Sequence, residues 1–294
     1  MATEITRPPE HAAAPPIVRL ARRGTVHEMR AAKIVWHREM IRFWQDRSRL
    51  VVALLQPVLF LFVLGTGLSS LVSGGTGGVS LRTFLFPGVL AMSTMFTAMF
   101  SAASLVWDRE FGFLREMLVA PVSRASIVIG KALGGASAAT IPGVIMLAFA
   151  GVVGVPYDPV LMLVLVVELL LLSFVLTAVG VMVAGRIKQI QSFMALTQLF
   201  LMPMLFLSGA MFPLSNLPTW LLVLTRVNPL TYAVDPMRRA VFAHLEVSPV
   251  ALHELSPGVT WGTWVVPVGL ELLLVLGMGL VMLAAGIVEF RRAE

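Results

Sequence analysis

The sequence has no cysteine and few charged residues. Without cysteine the chain has neither disulfide bridges nor thiolate metal sites. Only 13% of its 294 residues are charged and 57% are hydrophobic, whereas soluble domains have about 25% charged residues. This composition excludes a soluble globular protein and a disordered one, and it favours a membrane protein.

Six apolar stretches are long enough to cross a bilayer. A spanning helix needs about 20 mostly apolar residues, because each backbone group must find its hydrogen bond within the helix. We therefore predict an all-α membrane protein with six spans, at about 50–71, 83–107, 129–153, 159–184, 190–211 and 264–288. Residues 1–24, rich in Pro, Ala and Arg, are predicted to be a disordered tail, and residues 289–294 a second tail.

The basic residues predict the orientation of these spans. With six spans, one side carries 18 Lys and Arg, ten of them in residues 1–49, and the other side carries four: Arg82, Arg226, Arg238 and Arg239. Basic residues accumulate on the cytoplasmic side of membrane proteins. Both termini are therefore predicted to be cytoplasmic.

Residues 25–49 are predicted to form a helix that lies on the membrane. Their apolar residues recur at helical spacing in a narrow stripe: Met29, Ala32, Trp36, Met40, Phe43 and Trp44. Lys33 and Arg47 fall in the stripe, and their long side chains can extend to the headgroups. Two interpretations stay open: an interfacial helix that also braces a cytoplasmic partner, or a basic collar ahead of the first span.

The connection between spans two and three has an unusual length and charge. It reads WDREFGFLREMLVAPVSRASIVIGK, with a predicted short helix at 109–119 and a turn at Pro121. It takes up about 20 residues of mixed charge, although a turn between two spans needs only a few. It is either a docking segment for a soluble protein or a solvated loop.

The outer connection, residues 212–262, contains apolar pieces that are too short to cross. Proline interrupts them at Pro229 and Pro236. They are predicted to be short helices that dip into the outer leaflet, lie on it or pack on the bundle.

Two of these segments carry a family resemblance. DREFGFLREMLVAPVSRASIVIGK resembles the cytoplasmic loop of ABC-2 type permeases, which has a (D/E)RE-x-G-x-L pattern, a Pro-Val-Ser-Arg turn and a Gly-Lys pair. LSGAMFPLSNLPTWLLVLTRVNPLTYAVDPMR resembles the segment between spans five and six of that family, and of its daunorubicin-resistance branch in particular. Phe113 departs from the pattern, since a small polar residue is commoner there.

The resemblance implies the membrane subunit of an exporter in the bacterial inner membrane, working as a homodimer. Two copies of a separate ATPase, which binds ATP and Mg²⁺, would dock on the loop between spans two and three and touch the interfacial helix. The cargo implied is a hydrophobic drug, a lipid or a glycan, moved outward. The coupling residues implied by the matched loop are Arg109, Glu110, Gly112, Leu114, Arg115, Glu116, Pro121, Val122, Ser123 and Arg124.

Motifs for chemistry within this chain are missing. Gly130-Lys131 is followed by Ala132 and lacks the upstream glycine of a phosphate-binding loop. The sequence has no HExxH, no Cys/His cluster and no G-x-S-x-G. We therefore expect no enzymatic activity, no cofactor and no metal site in the chain itself.

A few polar residues and one proline lie within the predicted spans. Glu168 in span four and Glu271 in span six either contact a cation in the transport path or pack as protonated or hydrogen-bonded groups. Gln56 and Gln198 are expected to hydrogen-bond between helices. Pro203 is expected to kink span five, which by the resemblance lines the dimer seam beside the path.

The sequence leaves two other function classes as rivals. An ion-driven secondary transporter would use Glu168 and Glu271 as its coupling carboxylates, but such transporters often contain inverted repeats, and spans one to three show no similarity to spans four to six. A membrane enzyme acting on lipids needs a nucleophile or a metal cluster, and neither is evident.

Overall fold

The structure is a computed structural model that describes residues 24–68, 79–113, 117, 122–214, 217–262 and 264–292. The predicted disordered tail therefore lies, apart from Gly24, outside the described residues. Leu114, Arg115, Glu116 and Pro121 of the predicted coupling segment also lie outside them.

The described chain is almost entirely helical, as the composition predicts. Two short strands, β1 (Thr260–Trp261) and β2 (Trp264–Val265), pair antiparallel in a small hairpin that the sequence did not predict. The ten helices of the described residues are α1 (Thr25–Gln45), α2 (Arg47–Leu59), α3 (Leu81–Glu110), α4 (Arg124–Leu147), α5 (Pro159–Arg186), α6 (Ile190–Phe206), α7 (Thr219–Val227), α8 (Thr231–Ala243), α9 (Pro249–Leu255) and α10 (Val268–Arg292). A π-helical turn, Phe60–Leu64, and a helical turn, Gly65–Gly67, continue α2.

Five helices of the described residues are long and apolar enough to cross a membrane: α2 with its continuation to Gly67, α3, α4, α5 and α10. The predicted fifth span, 190–211, differs. Helix α6 ends at Phe206 after 17 residues, and a turn with Gly209 at φ 76° follows. At 1.5 Å per residue α6 is about 25 Å long, slightly shorter than the ~30 Å hydrocarbon core. A crossing by α6, and with it the total of six spans, therefore stays a prediction.

The ends of several elements also differ from the prediction. Helix α1 stops at Gln45, because the Asp46 side chain accepts a hydrogen bond from the Arg49 amide (3.1 Å) and caps α2. The last helix begins at Val268 instead of 264, since the hairpin occupies 260–265. It continues to Arg292, so most of the predicted C-terminal tail is helical.

Helix α3 forms the centre of the bundle, and α2 and α10 lie at its edge. Nearly all of α3 is buried against its neighbours, whereas most apolar side chains of α2 and α10 are exposed or only partly buried. Exposed Val, Leu and Ile on a spanning helix meet lipid or another membrane-embedded subunit without cost. The central helix therefore depends on packing within the chain, and the edge helices have free faces.

The bundle has two ends with different architecture. At the end that we call the α1 end lie α1, Glu110, Ser123, the α5–α6 turn and Arg292. At the other, called the α8 end, lie α7, α8, α9 and the hairpin. Helix α1 packs along α4, where a Cβ added to Gly130 would lie 2.6 Å from the Ala32 carbonyl oxygen. Glycine thus permits the close approach of these two helices.

Candidate functional site

A buried ion cluster joins three helices at the α1 end. Lys131 of α4 is 4% exposed, and its ammonium nitrogen lies 2.6 Å from Asp108 Oδ2 of α3 and 2.9 Å from Glu39 Oε1 of α1. It also donates a hydrogen bond to Ser104 Oγ (3.2 Å). Removing one partner from such a buried pair costs about 3–5 kcal/mol. The cluster therefore locks α1 onto the second and third predicted spans.

Two half-exposed arginines extend this cluster toward solvent. Arg38 and Arg42 of α1 lie 3.4 and 3.8 Å from Asp108 Oδ1, and the Arg42 guanidinium stands 5.5 Å from the centre of the Trp107 ring. With Phe111 and Phe113 they line a groove of about 440 Å³. Its rim combines cationic and aromatic groups at the place where the chain leaves α3.

A second contact fixes the start of α4 to the start of α1. The Glu28 carboxylate accepts hydrogen bonds from the Ser123 amide (3.0 Å) and the Ser126 hydroxyl (2.6 Å). Ser123 also caps α4 by accepting from the Ser126 amide (3.1 Å). The hydrogen bonds from Ser123 and Ser126 lower the pKa of Glu28 to about 2, so this carboxylate is ionised at neutral pH.

The apolar stripe predicted for α1 is only partly the packed face. Phe43 is 4% exposed, Trp36 donates from Nε1 to Ser137 Oγ of α4 (3.0 Å), and Met40 is half-buried. Trp44 is 58% exposed. Glu39, which the spacing placed away from the stripe, lies on the buried face because Lys131 pairs with it. The ion pair therefore outweighs the apolar pattern in setting the rotation of α1.

The described coupling residues divide into two groups. Gly112, at φ 82°, follows the end of α3, and Val122 and Ser123 lead into α4. Arg109 and Glu110 belong to the last turn of α3 instead of the separate helix predicted at 109–119. Their side chains reach the α5–α6 turn. Arg124 begins α4 and donates to the Arg291 carbonyl of α10 (3.3 Å).

The two carboxylates predicted inside spans lie at the same level. Helices α5 and α10 run parallel and contact each other where Gly279 meets Val175 and Gly286 meets Met182. Both contacts join residues that are the same number of positions apart in the sequence. The same separation places Glu271 level with Val167, the residue before Glu168. The exposed fractions of Glu168 and Glu271 are 3% and 0%.

Their partners differ. Glu271 Oε1 lies 3.5 Å from Arg239 Nη2, which also lies 2.6 Å from Asp235 Oδ2. Arg239 donates from Nη1 to the Val266 carbonyl as well (3.0 Å), and so ties α8 to the start of α10. The Glu168 carboxylate forms no hydrogen bond or ion pair with any described residue. Within the described part of the chain, Glu168 Oε2 and Glu271 Oε2 are both buried without a hydrogen bond, but Glu271 has Arg239 beside its other oxygen.

The remaining candidate path residues lie on α6. Pro203 sits within α6, three residues before its end, and Gln198 is exposed on the helix surface. Gln198 and Gln56 of α2 line a groove of about 370 Å³ with Arg49. Both amides are exposed on the helix surface, so their expected hydrogen bonds between helices stay a prediction.

Sequence reasoning missed Lys131, Asp108, Asp235 and Arg239 as site residues. The signal that was available is a charge within an apolar run, as in IVIGKALGG around Lys131. Burying an unpaired charge is costly, so each such residue predicts a partner of opposite charge. The sequence does not say which residue that partner is.

Comparison with known proteins agrees with this architecture. Residues 30–242 match the family model of the ABC-2 type transporter. A putative transport permease ycf38 of Cyanophora paradoxa is 29% identical over 64% of this chain and 66% of its own length. Nodulation protein J of Rhizobium leguminosarum bv. trifolii is 30% identical over 71% of this chain and 80% of its own.

This match covers α1, the first five predicted spans and α8, and it confirms the family resemblance. ATP hydrolysis in such transporters belongs to a separate subunit. Membership also counts against the ion-driven transporter and the lipid enzyme. The chain belongs to the ABC-2 type transporter family and is a multi-pass membrane subunit of an ABC transporter.

Proposed function

We propose that this chain is the permease of an ABC exporter, and that its ATPase docks at the connection between α3 and α4. The observation that supports this most is the bracing of both ends of the connection. Lys131 and Asp108 hold its flanking helices together, and Glu28 holds Ser123. A force applied at either end of the connection is therefore transmitted directly to the spans.

The docking surface in this proposal is the aromatic and basic rim at the start of the connection. Phe111 and Phe113 are 63% and 52% exposed, and Arg38 and Arg42 lie beside them. Exposed aromatic residues and arginine are enriched at protein interfaces. The ATPase would bind ATP and Mg²⁺, and the permease would supply no cofactor.

A double variant tests this docking surface. Phe111→Ser with Phe113→Ser is expected to reduce co-purification of the ATPase at least about fivefold, since interface aromatics commonly contribute over 1 kcal/mol each. Trp220→Ser is the matched control, because Trp220 is 66% exposed on α7 at the other end. Full recovery of the ATPase with the double variant would remove this surface from the proposal.

A homodimer is part of this proposal, and exposed polar side chains on α2 and α6 support it. Gln56 and Gln198 each carry an exposed amide partway along an apolar helix, and lipid tails cannot satisfy an amide. A second copy of the chain, with the same groove, supplies polar partners. Cargo would pass along this seam near Pro203. A cross-link between Gln56→Cys copies across the dimer tests this, and an unchanged monomer under oxidant contradicts it.

The α1 end is cytoplasmic in this proposal, with both termini inside. The excess of Lys and Arg at this end supports it. Because the chain has no cysteine, single cysteines can be mapped without background. Ser248→Cys should react with an impermeant maleimide in whole cells and Ser123→Cys should not. The reverse labelling would invert the orientation.

The cargo in this proposal is hydrophobic or amphipathic and moves outward. The free faces of α2 and α10 and the apolar groove walls support a cargo that enters from the lipid phase. Vesicles containing the permease and its ATPase, loaded with a fluorescent lipophilic dye, measure direction. Dye movement driven by an ion gradient without ATP would support the secondary transporter instead.

A further inference from the structure

Arg109 and Glu110 do not point toward the connection that follows them. From the last turn of α3, Arg109 Nη1 donates to the carbonyl oxygens of Ala184 (3.1 Å), Gly185 (3.2 Å) and Ile187 (2.9 Å). Glu110 Oε2 accepts a hydrogen bond from the Ile190 amide (2.7 Å). Two neighbouring residues thus hold both sides of the α5–α6 turn.

The charges of these two residues match the helix ends that they contact. Helix α5 ends at Arg186 and leaves carbonyl groups without helical partners, and α6 begins at Ile190 with free amides. A cation is stabilised at a helix C-terminus and an anion at an N-terminus. Arg109 and Glu110 supply the two charges in the required places.

The clamp formed by Arg109 and Glu110 also reaches the last helix. The Arg109 guanidinium stands 5.8 Å from the centre of the Phe290 ring of α10, a cation–π contact. At the α1 end of the bundle, the last turn of α3 is therefore linked to the end of α5, the start of α6 and the end of α10. None of these helices adjoins α3 in the chain, so these side chains link them directly at this end.

The position of the clamp relative to the connection gives it a consequence for function. Helix α3 ends at Glu110, and Gly112, with a positive φ of 82°, follows two residues later. A displacement of this end of the connection therefore acts next to the clamp.

We propose that Arg109 and Glu110 are positioning residues that transmit motion from the connection to α5 and α6, and that they are not docking residues for the ATPase. This inference deepens the proposed function and rests on it. The family resemblance groups both residues with the docking loop, but their contacts are spent within the chain. Removing them should leave the ATPase bound and uncouple α6 from it.

Two reporters separate docking from transmission. An environment-sensitive fluorophore on Val122→Cys reports the connection, and one on Gln191→Cys reports the start of α6. Both are read in the reconstituted permease–ATPase complex before and after ATP with vanadate. In the otherwise unchanged permease both signals should change. If the ATPase does not co-purify with it, the proposed function fails, and this inference with it.

The variants are Glu110→Ala and Arg109→Ala, with Glu246→Ala at the α8 end as an exposed control. Each clamp variant should keep the Val122 signal and ATPase co-purification and reduce the Gln191 signal about two- to fivefold, the range expected for one charge at a helix end. Glu110→Gln keeps an acceptor oxygen and should recover most of the signal. Arg109→Lys, with one ammonium for three carbonyls, should recover less.

Two results would overturn the inference while the proposed function stands. Loss of ATPase co-purification together with both signals would make Arg109 and Glu110 docking residues. Unchanged signals at both reporters in the Glu110→Ala and Arg109→Ala variants would show that the clamp carries no motion.

Discussion

The two buried charge clusters of this protein differ in how completely they are paired. At the α1 end, Lys131 lies between Glu39 and Asp108, and Arg38 and Arg42 also form ion pairs with Asp108. At the α8 end, the side chain of Arg239 is shared by Asp235 and Glu271. Glu168, at the same level, has no partner among the described residues.

This difference indicates two kinds of use for buried charge. A buried ion that is fully paired fixes helices relative to one another, because breaking the pair strands a charge in a medium of low polarity. A buried carboxylate without a partner stabilises nothing in the fold and is retained for another reason, often function. The first cluster is a joint between three helices, and Glu168, beside the second cluster, has no such partner among the described residues.

The largest expected effect comes from breaking the joint. Lys131→Met leaves Glu39 and Asp108 buried together, and we expect the stability of the folded chain to fall by about 3–5 kcal/mol. Thermal unfolding in detergent measures this, with the exposed Lys33→Met as control. Adding Glu39→Gln should restore part of the loss. A thermal midpoint equal to that of the unchanged protein would show that the cluster is not a joint.

A smaller effect is expected at the second cluster. Arg239→Met leaves Asp235 and Glu271 without their cation, but Arg239 is 22% exposed and solvent reaches it in part. We expect a loss of about 1–3 kcal/mol, typical of an unsatisfied buried polar group. The same unfolding experiment checks the order of the two variants. A loss larger than that of Lys131→Met would reverse the comparison between the clusters.

Variants of Glu168 should differ in phenotype from both the Lys131→Met and the Arg239→Met variants. Glu168→Gln removes a charge that pairs with nothing described, so folding should be unchanged or slightly improved, since a central acidic residue costs roughly 2.5–3.5 kcal/mol on insertion. If the path carries cations past Glu168 and Glu271, the Gln variants should lower export of a cationic dye about fivefold relative to a neutral one, equivalent to ~1 kcal/mol.

Matched cationic and neutral dyes, with ATPase rate and expression measured in parallel, make this test specific. Equal export of both dyes by the double Gln variant would remove both carboxylates from the path. A fall in yield with Glu168→Ala and not with Glu168→Gln would instead indicate a packing role.

Sequence periodicity predicted most of the helices and missed their contacts, for a physical reason. A run of apolar residues is sufficient for a spanning helix, so α3, α4, α5 and α10 follow from hydropathy. Their ends depend on capping by Asp46, Ser123 and Asp158, and such local bonds move a boundary by several residues. The end of α6 at Phe206 depends on a turn at Gly209 that hydropathy does not register.

The candidate site was predictable in position and not in detail. The mixed charge of the connection marked it as unusual, and the family resemblance implied a docking role there, which stays a prediction. The side chains of Arg109 and Glu110 contact the α5–α6 turn because two helix ends lie within reach, and those ends come from residues about 75 to 80 positions later in the chain. Such long-range contacts leave no periodic signal in the sequence.

The smallest expected effect concerns the contact of Glu28 with Ser123 and Ser126 at the start of α4, which we compare with the Lys131 joint. Hydrogen bonds from Ser123 and Ser126 lower the pKa of the Glu28 carboxyl from its usual value of 4.5 to about 2. A carboxyl whose pKa is lower in the folded chain stabilises the fold fully above its unfolded pKa. This contribution therefore decreases as the pH falls from about 4.5 to about 2.

Glu28→Gln should lower the thermal midpoint slightly at neutral pH, by less than Lys131→Met, because Glu28 is exposed to solvent and its hydrogen bonds compete with water. The difference between the Gln variant and the unchanged protein should shrink as the pH is lowered below 4.5, since protonation weakens the same cap in the unchanged protein. Measuring both midpoints between pH 6 and 3 in steps of about half a unit resolves this trend. A difference that stays constant over this range would mean that the Glu28 charge does not stabilise the start of α4, and that Ser123 caps the helix alone.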